Sequence, residues 1–153
     1  MYRTTKAKIT DIPELLEIAV QFWNESPTYS QRPMDINKVN LHLKSLVCFP
    51  STGCLLVCKD ETGKIVGGFA GGIIAEWFGH SIMTFDYCLF VRQESRGSRA
   101  AYLLIKKFIS WSKEVGANII QCGTATKIET EKTINFYKKM GFEHTGSFLE
   151  MTI

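Results

Sequence analysis

Three apolar, partly β-branched runs follow one another through the middle of the chain: Cys54–Cys58, Ile65–Ala75 and Ser81–Val91. Runs of this composition bounded by turn residues read as strands, and strands in succession must form a sheet whose apolar faces need covering. Asp60-Glu61-Thr62-Gly63 joins the first two as a hairpin, and Glu76-Trp77-Phe78-Gly79-His80 joins the second to the third. Gly67, Gly68, Gly71 and Gly72 lower the strand propensity of the middle run, and such glycines mark bulges or close backbone approaches.

The covering elements come from helical periodicity on either side. Asp11 with Glu14 three residues later resembles a helix start, and Ile12, Leu15, Leu16, Ala19, Phe22 and Trp23 then recur at helical spacing. Asp35 is placed to cap a second helix with Ile36, Val39, Leu43, Leu46 and Val47 on one face, closed by Pro50 and Gly53. Arg99 to Val115 reads as a third helix stopped by Gly116, Asn118 to Cys122 as a short strand, and Thr130 to Met140 as a last helix stopped by Gly141. Two further strands are expected at Phe142–Thr145 and Phe148–Ile153. The predicted order, βααβββαβαββ, is an α+β fold, a mixed and mostly antiparallel sheet with helices on both faces.

With 153 residues, 45% of them hydrophobic, one domain over residues 1–153 is expected to bury its own core. The net charge of +3 is spread along the chain, so a nucleic-acid partner is neither required nor excluded. No apolar run has the length of a signal peptide or membrane span, which leads to the expectation of a soluble, cytoplasmic protein, a monomer or homodimer. Cys48, Cys54, Cys58, Cys88 and Cys122 are odd in number and scattered, which favours reduced, buried thiols over a disulfide framework. Cys54 and Cys58 lack a second ligand pair nearby, so no metal is expected.

The stretch that carries chemistry is Leu89-Phe90-Val91 followed by Arg92-Gln93-Glu94-Ser95-Arg96-Gly97-Ser98-Arg99-Ala100-Ala101-Tyr102. A strand, a short polar loop and a helix start in that order let free N–H groups and the helix dipole hold a diphosphate. The Gly-Lys-Ser/Thr ending of a Walker loop is absent. The segment resembles the pyrophosphate loop of the GCN5-related N-acetyltransferases, in which a strand leads to Q/R-x-x-G-x-G/A and a helix: Arg96 and Ala101 match the outer positions, while Arg99 replaces the family's glycine. A distant second motif, Asn135-Phe136-Tyr137-Lys138-Lys139-Met140-Gly141-Phe142, is similar to that family's closing F-Y-x-K-x-G-F. Thr130 stands where the family often has asparagine, and the resemblance covers about Lys6 to Ile153.

The resemblance implies acetyl-coenzyme A as cosubstrate and an amine as acceptor. It places the pantetheine arm and thioester along the backbone of Leu89, Phe90 and Val91, and the diphosphate at Arg96, Gly97, Ser98, Arg99, Ala100 and Ala101, with Thr130 near the cofactor. Tyr137 is implied as the general acid that protonates the leaving thiolate, a role that suits a phenol held near sulfur. Arg99 either blocks the loop or turns outward and pairs with a phosphate.

Loss of a proton from the amine calls for a base, and Asp86, a lone acid in an apolar strand, and Glu76, at the end of the preceding strand, are the candidates beside the reading of both as surface acids. The family's acceptor pocket maps onto Trp23, Glu25, Ser26, Pro27 and Tyr29, joined by Trp77, Phe78 and Phe148, with Glu25 placed to pair with an ammonium. Cys88 has no histidine partner in the pattern and reads as a buried strand residue, so direct transfer in a ternary complex is expected. Two other readings stay open: an acyltransferase acting on a protein lysine or modified nucleobase, and a binding module whose cofactor loop has decayed.

Overall fold

A computed structural model describes residues 1–153. The elements follow as β1 (Arg3–Lys6), α1 (Ile12–Glu25), α2 (Ile36–Cys48), β2 (Gly53–Lys59), β3 (Ile65–Ala75), β4 (Ile82–Val91), α3 (Ala100–Glu114), β5 (Ile119–Gln121) and α4 (Thr130–Lys139). The sheet has the order β1-β2-β3-β4-β5 and is antiparallel except for the parallel pair β4–β5.

Both faces of the sheet are covered, which is why β2 is apolar almost throughout rather than alternating. On one face Leu55 and Val57 pack with Ile12, Leu15 and Ile18 of α1 and Leu43 and Leu46 of α2. On the other, Cys54, Leu56 and Cys58 pack with Leu104, Ile105, Phe108 and Trp111 of α3 and Tyr137 of α4. Burial pushes the Cys54 thiol up to about 12 and raises that of Cys58, so both are inert thiols of the core.

Two glycines in the strands answer to close approaches. A Cβ at Gly53 would stand 2.1 Å from the Gly71 carbonyl oxygen, and one at Gly71 would stand 2.7 Å from the Phe108 ring. The β3–β4 ladder slips one register between Ala70 and Gly71, because Ala70 pairs Cys88 and Gly71 pairs Asp86, which leaves Tyr87 unpaired in a bulge.

The structure corrects the sequence reading at both ends. α1 begins directly after Asp11 and Asp35 caps α2 by accepting from the amides of Asn37 and Lys38, both as expected, but the Asp11 side chain makes no cap hydrogen bond to α1. Its carboxylate instead takes the Lys8 amide and the Lys59 ammonium, and Glu14 accepts from the Ile65 amide and Arg92. Residues 142–153 form no strand. Leu149, Met151 and Ile153 have the alternation of a strand without an apolar face to receive them, and with Phe148 they are largely exposed. This segment is held instead by Glu150, which pairs with Arg32 at 2.7 Å.

Candidate active site

The parallel pair β4–β5 is short, covering only Met83 to Phe85 against Ile119 to Gln121. From Asp86 to Val91, β4 has β3 on one side and no strand on the other. A strand edge left open beside a buried face offers its backbone groups to an extended ligand. Leu89, Phe90 and Val91 lie on that edge, although the Val91 carbonyl already accepts from Arg96 Nε at 3.1 Å.

Asp86 stands at the point where the two strands part. Its carboxylate accepts the Gly123 amide at 3.1 Å, in the loop that leaves β5, and the Tyr137 hydroxyl from α4 at 3.4 Å. The bulge sets this geometry: Asp86 is opposite Gly71, whose Cα hydrogen faces α3, while the unpaired Tyr87 packs edge-on against His42 of α2 with ring centroids 4.5 Å apart. Burial pushes Asp86 up to about 6, against the lowering effect of its hydrogen bonds. Burial, with Cys122 and Asp86 beside it, drives the Tyr137 hydroxyl far above its ordinary value, so it keeps its proton. Burial likewise raises the Cys122 thiol, and it pushes that of Cys88 up to about 11, which suits neither as a nucleophile.

The loop from Arg96 to Ala101 leads into the N-terminus of α3. Gly97 has φ +79°, a left-handed conformation that explains a glycine at this place. Arg99 has φ −77° and ψ −1°, which any residue adopts, so the fold does not require glycine there. Its guanidinium rests 5.9 Å from the Tyr102 ring one turn along, beside a cavity of about 430 Å³ lined by Met1, Tyr2, Ser98, Arg99 and Leu103. Ser98 N–H donates to Ser95 and Ala100 N–H to the Ser98 hydroxyl. The amides of Gly97, Arg99, Ala101 and Tyr102 have no protein acceptor, so the donors that a diphosphate needs are present. Thr130 opens α4, next to Glu129 at φ +44°.

The remaining sequence candidates divide. Glu25 ends α1 and binds Arg96 through both carboxylate oxygens, with Arg96 Nη2 to Glu25 Oε2 at 2.6 Å. Its carboxylate is therefore taken by a guanidinium rather than held for an ammonium. Tyr29 packs edge-on against Phe22 at 5.8 Å, and Phe22 against Phe90 at 5.5 Å, which brings the connection between α1 and α2 over β4. Trp23 donates its indole N–H to the Arg32 carbonyl and so fastens that connection. Glu76 and Trp77 lie at the tip of the β3–β4 hairpin, closed by the Glu76 amide bonded to Ser81. Glu76 is five residues along β3 from Gly71, the partner of Asp86, roughly 17 Å. Asp86 meets Tyr137 at the fork in mid-strand, Arg96 and Glu25 pair beyond the Val91 end of β4, and Glu76 and Trp77 lie past its opposite, hairpin end.

Several contacts of this region carried no signal in the sequence. Ser26 is fully buried, its hydroxyl donates to the Thr126 carbonyl at 2.7 Å and accepts the Tyr29 amide, tying α1 to the β5–α4 loop. Gly123 supplies the amide that holds Asp86, and Cys122 lies against Tyr137. His42 Nε2 and Thr28 Oγ1, on the α1–α2 side, are buried without a hydrogen-bond partner. Contacts between segments about a hundred residues apart have no local pattern to announce them.

Known proteins share this fold. The sequence matches the acetyltransferase (GNAT) family over residues 12–142. An uncharacterised N-acetyltransferase of Schizosaccharomyces pombe is 31% identical over 99 residues, 65% of this chain, and the chain spans only 57% of that relative's length. Among solved structures, an aminoglycoside antibiotic 6′-N-acetyltransferase of Acinetobacter baumannii superposes with a TM-score of 0.78 at 15% identity, covering 100% of this chain and 98% of that one. Glucosamine-6-phosphate N-acetyltransferase of Arabidopsis thaliana gives 0.77 at 14% identity, covering 99% and 98%. No helix is long and apolar enough to cross a membrane. The family match runs from the first helix through both motifs, and on that ground the chain belongs to the acetyltransferase (GNAT) family.

Proposed function

We propose that this protein transfers the acetyl group of acetyl-coenzyme A directly to a primary amine within a ternary complex. The observation that carries the reading is the contact between the Asp86 carboxylate and the Tyr137 hydroxyl at the fork of β4 and β5. Attack of an amine on a thioester forms a C–N bond, breaks the C–S bond, releases one proton and leaves a thiolate that needs one. Asp86, raised to about 6, is ionised at neutral pH yet basic enough to take the amine's proton. Tyr137 holds a proton at the same fork and passes it to the thiolate only as Asp86 replaces it, because burial disfavours a tyrosinate. The 3.4 Å contact lets protonated Asp86 restore the tyrosine, so one proton crosses the pair per turnover.

The cosubstrate supplies the activated acyl group; the protein supplies its grip. The free amides of Gly97, Arg99, Ala101 and Tyr102 suit the diphosphate, and the open edge of Leu89 to Val91 suits the pantetheine arm. A protein lysine is the second reading of the acceptor, favoured by Trp77 at 94% and Phe78 at 68% exposure on the hairpin tip. Thiol release from acetyl-coenzyme A, measured against an aminoglycoside, glucosamine 6-phosphate, simple alkylamines and a lysine peptide, tests the reading. Amine-dependent release with at least one acceptor is expected; release no faster than the uncatalysed background with every amine, despite bound acetyl-coenzyme A, contradicts it.

A further inference from the structure

We infer that the Glu25–Arg96 pair is a strut that carries occupancy of the cofactor loop to the acceptor wall, making both positioning residues. The inference rests on the acetyl-coenzyme A reading above.

Arg96 belongs to the loop that precedes the free amides of α3, yet its side chain leaves that loop. Its fork engages both oxygens of Glu25, its Nε donates to the Val91 carbonyl at 3.1 Å, and its guanidinium lies 5.6 Å from the Phe90 ring. A guanidinium held at both edges and stacked on a ring is fixed in place and has little left to offer a phosphate. The two side chains are only 24% and 30% exposed, so solvent screens the pair less than a surface salt bridge. Each partner stabilises the charge of the other: Arg96 holds Glu25 below the ordinary carboxylate range, and Glu25 raises Arg96.

At the far end of the strut, the groups that shape the acceptor side follow at once. Glu25 is the last residue of α1, and Ser26 after it is locked to Thr126 and to the Tyr29 amide. Phe22, three residues before Glu25, wedges between Phe90 and Tyr29. Movement of Arg96 is therefore transmitted through Glu25 to the segment Ser26–Arg32. A diphosphate on the α3 amides fixes the backbone of the loop that contains Arg96, and through the ion pair it orders that segment before the amine arrives. Loss of Glu25 removes this coupling without removing any group from the cofactor's amides.

Hydrogen exchange of the full chain with and without coenzyme A tests the strut independently of any acceptor. In the wild type, coenzyme A slows exchange of the Ser26–Arg32 amides by about tenfold, the measure of a hydrogen bond to a charged group. In Glu25→Gln, which keeps the shape of the side chain, that slowing is lost while coenzyme A affinity, measured by calorimetry, changes by less than about threefold. Arg96→Lys, which keeps the charge with a single contact, recovers part of it. Equal slowing in Glu25→Gln, or none in a wild type that binds coenzyme A, overturns the strut. A wild type that binds no coenzyme A refutes the underlying reading instead, so the two failures are told apart.

Discussion

Tyr137 and Asp86 share one hydrogen bond but answer to different tests. Tyr137→Phe keeps the buried ring and its 5.3 Å edge contact with Phe142 while deleting the proton. Turnover should then fall by roughly tenfold to a thousandfold with acetyl-coenzyme A affinity little changed; steady-state rates beside calorimetric binding check this, and unchanged turnover returns Tyr137 to the core. For Asp86 the sign follows from its raised folded value. The folded protein binds this proton more tightly than the unfolded chain, so the ionised carboxylate costs stability above about pH 6, and the cost disappears as the pH falls below the ordinary value of 3.8. Asp86→Asn, still able to accept from Gly123 and Tyr137, should therefore stabilise the fold on the order of 1–3 kcal/mol at pH 8 and by little at pH 4. Denaturant melts at the two pH values decide it. The same group predicts that kcat/KM rises with pH through a midpoint near 6, and a variant equally stabilised at both pH values would contradict the assignment.

At the scale of elements, close approach and helix ends make the predictions. Gly53→Ala drives a Cβ to 2.1 Å from the Gly71 carbonyl and 2.8 Å from Leu46, and backbone in the sheet centre cannot withdraw cheaply. A loss of about 1–3 kcal/mol or more is expected from such overpacking, and an unchanged urea midpoint would show that β2 and β3 have room to part. At the start of α3, Arg99→Ala should weaken coenzyme A binding by about 1–3 kcal/mol if the guanidinium turns from the Tyr102 ring to a phosphate. Dephospho-coenzyme A identifies the 3′-phosphate as partner when variant and wild type bind it alike; tighter binding by Arg99→Gly would instead mark the side chain as an obstruction. These elements were largely legible in the sequence because their causes are local. Ile65–Ala75 is a strand over the residues its apolar run spans, Asp35 caps α2, and Gly116 and Gly141 end their helices at φ +76° and +97°. Asp11 stands at the start of α1 as its sequence reads, but its carboxylate is taken by the Lys59 ammonium, 48 residues away, a partner no local pattern announces. The tail misled because alternation at Leu149 to Ile153 is a pattern that needs a partner strand and face, which here it lacks.

Across the whole molecule, the order of helices and strands followed from periodicity, but the meeting of its ends did not. Asp86 and Tyr137 were separate candidates in the sequence, and the β4 bulge that brings them together is written only in the pairing of two strands. Glu25 and Arg96 were assigned to different substrates, and only the folded chain shows them bound to each other. The account of all these parts depends on one ligand being held between the open edge of β4 and the start of α3. A ligand that binds only the folded state stabilises it by mass action, about 2.7 kcal/mol at a hundred times Kd, or some 5–10 °C for a chain of this size. Thermal unfolding with and without millimolar acetyl-coenzyme A is the direct measurement: a rise of several degrees is the result predicted, and an unchanged Tm contradicts the account.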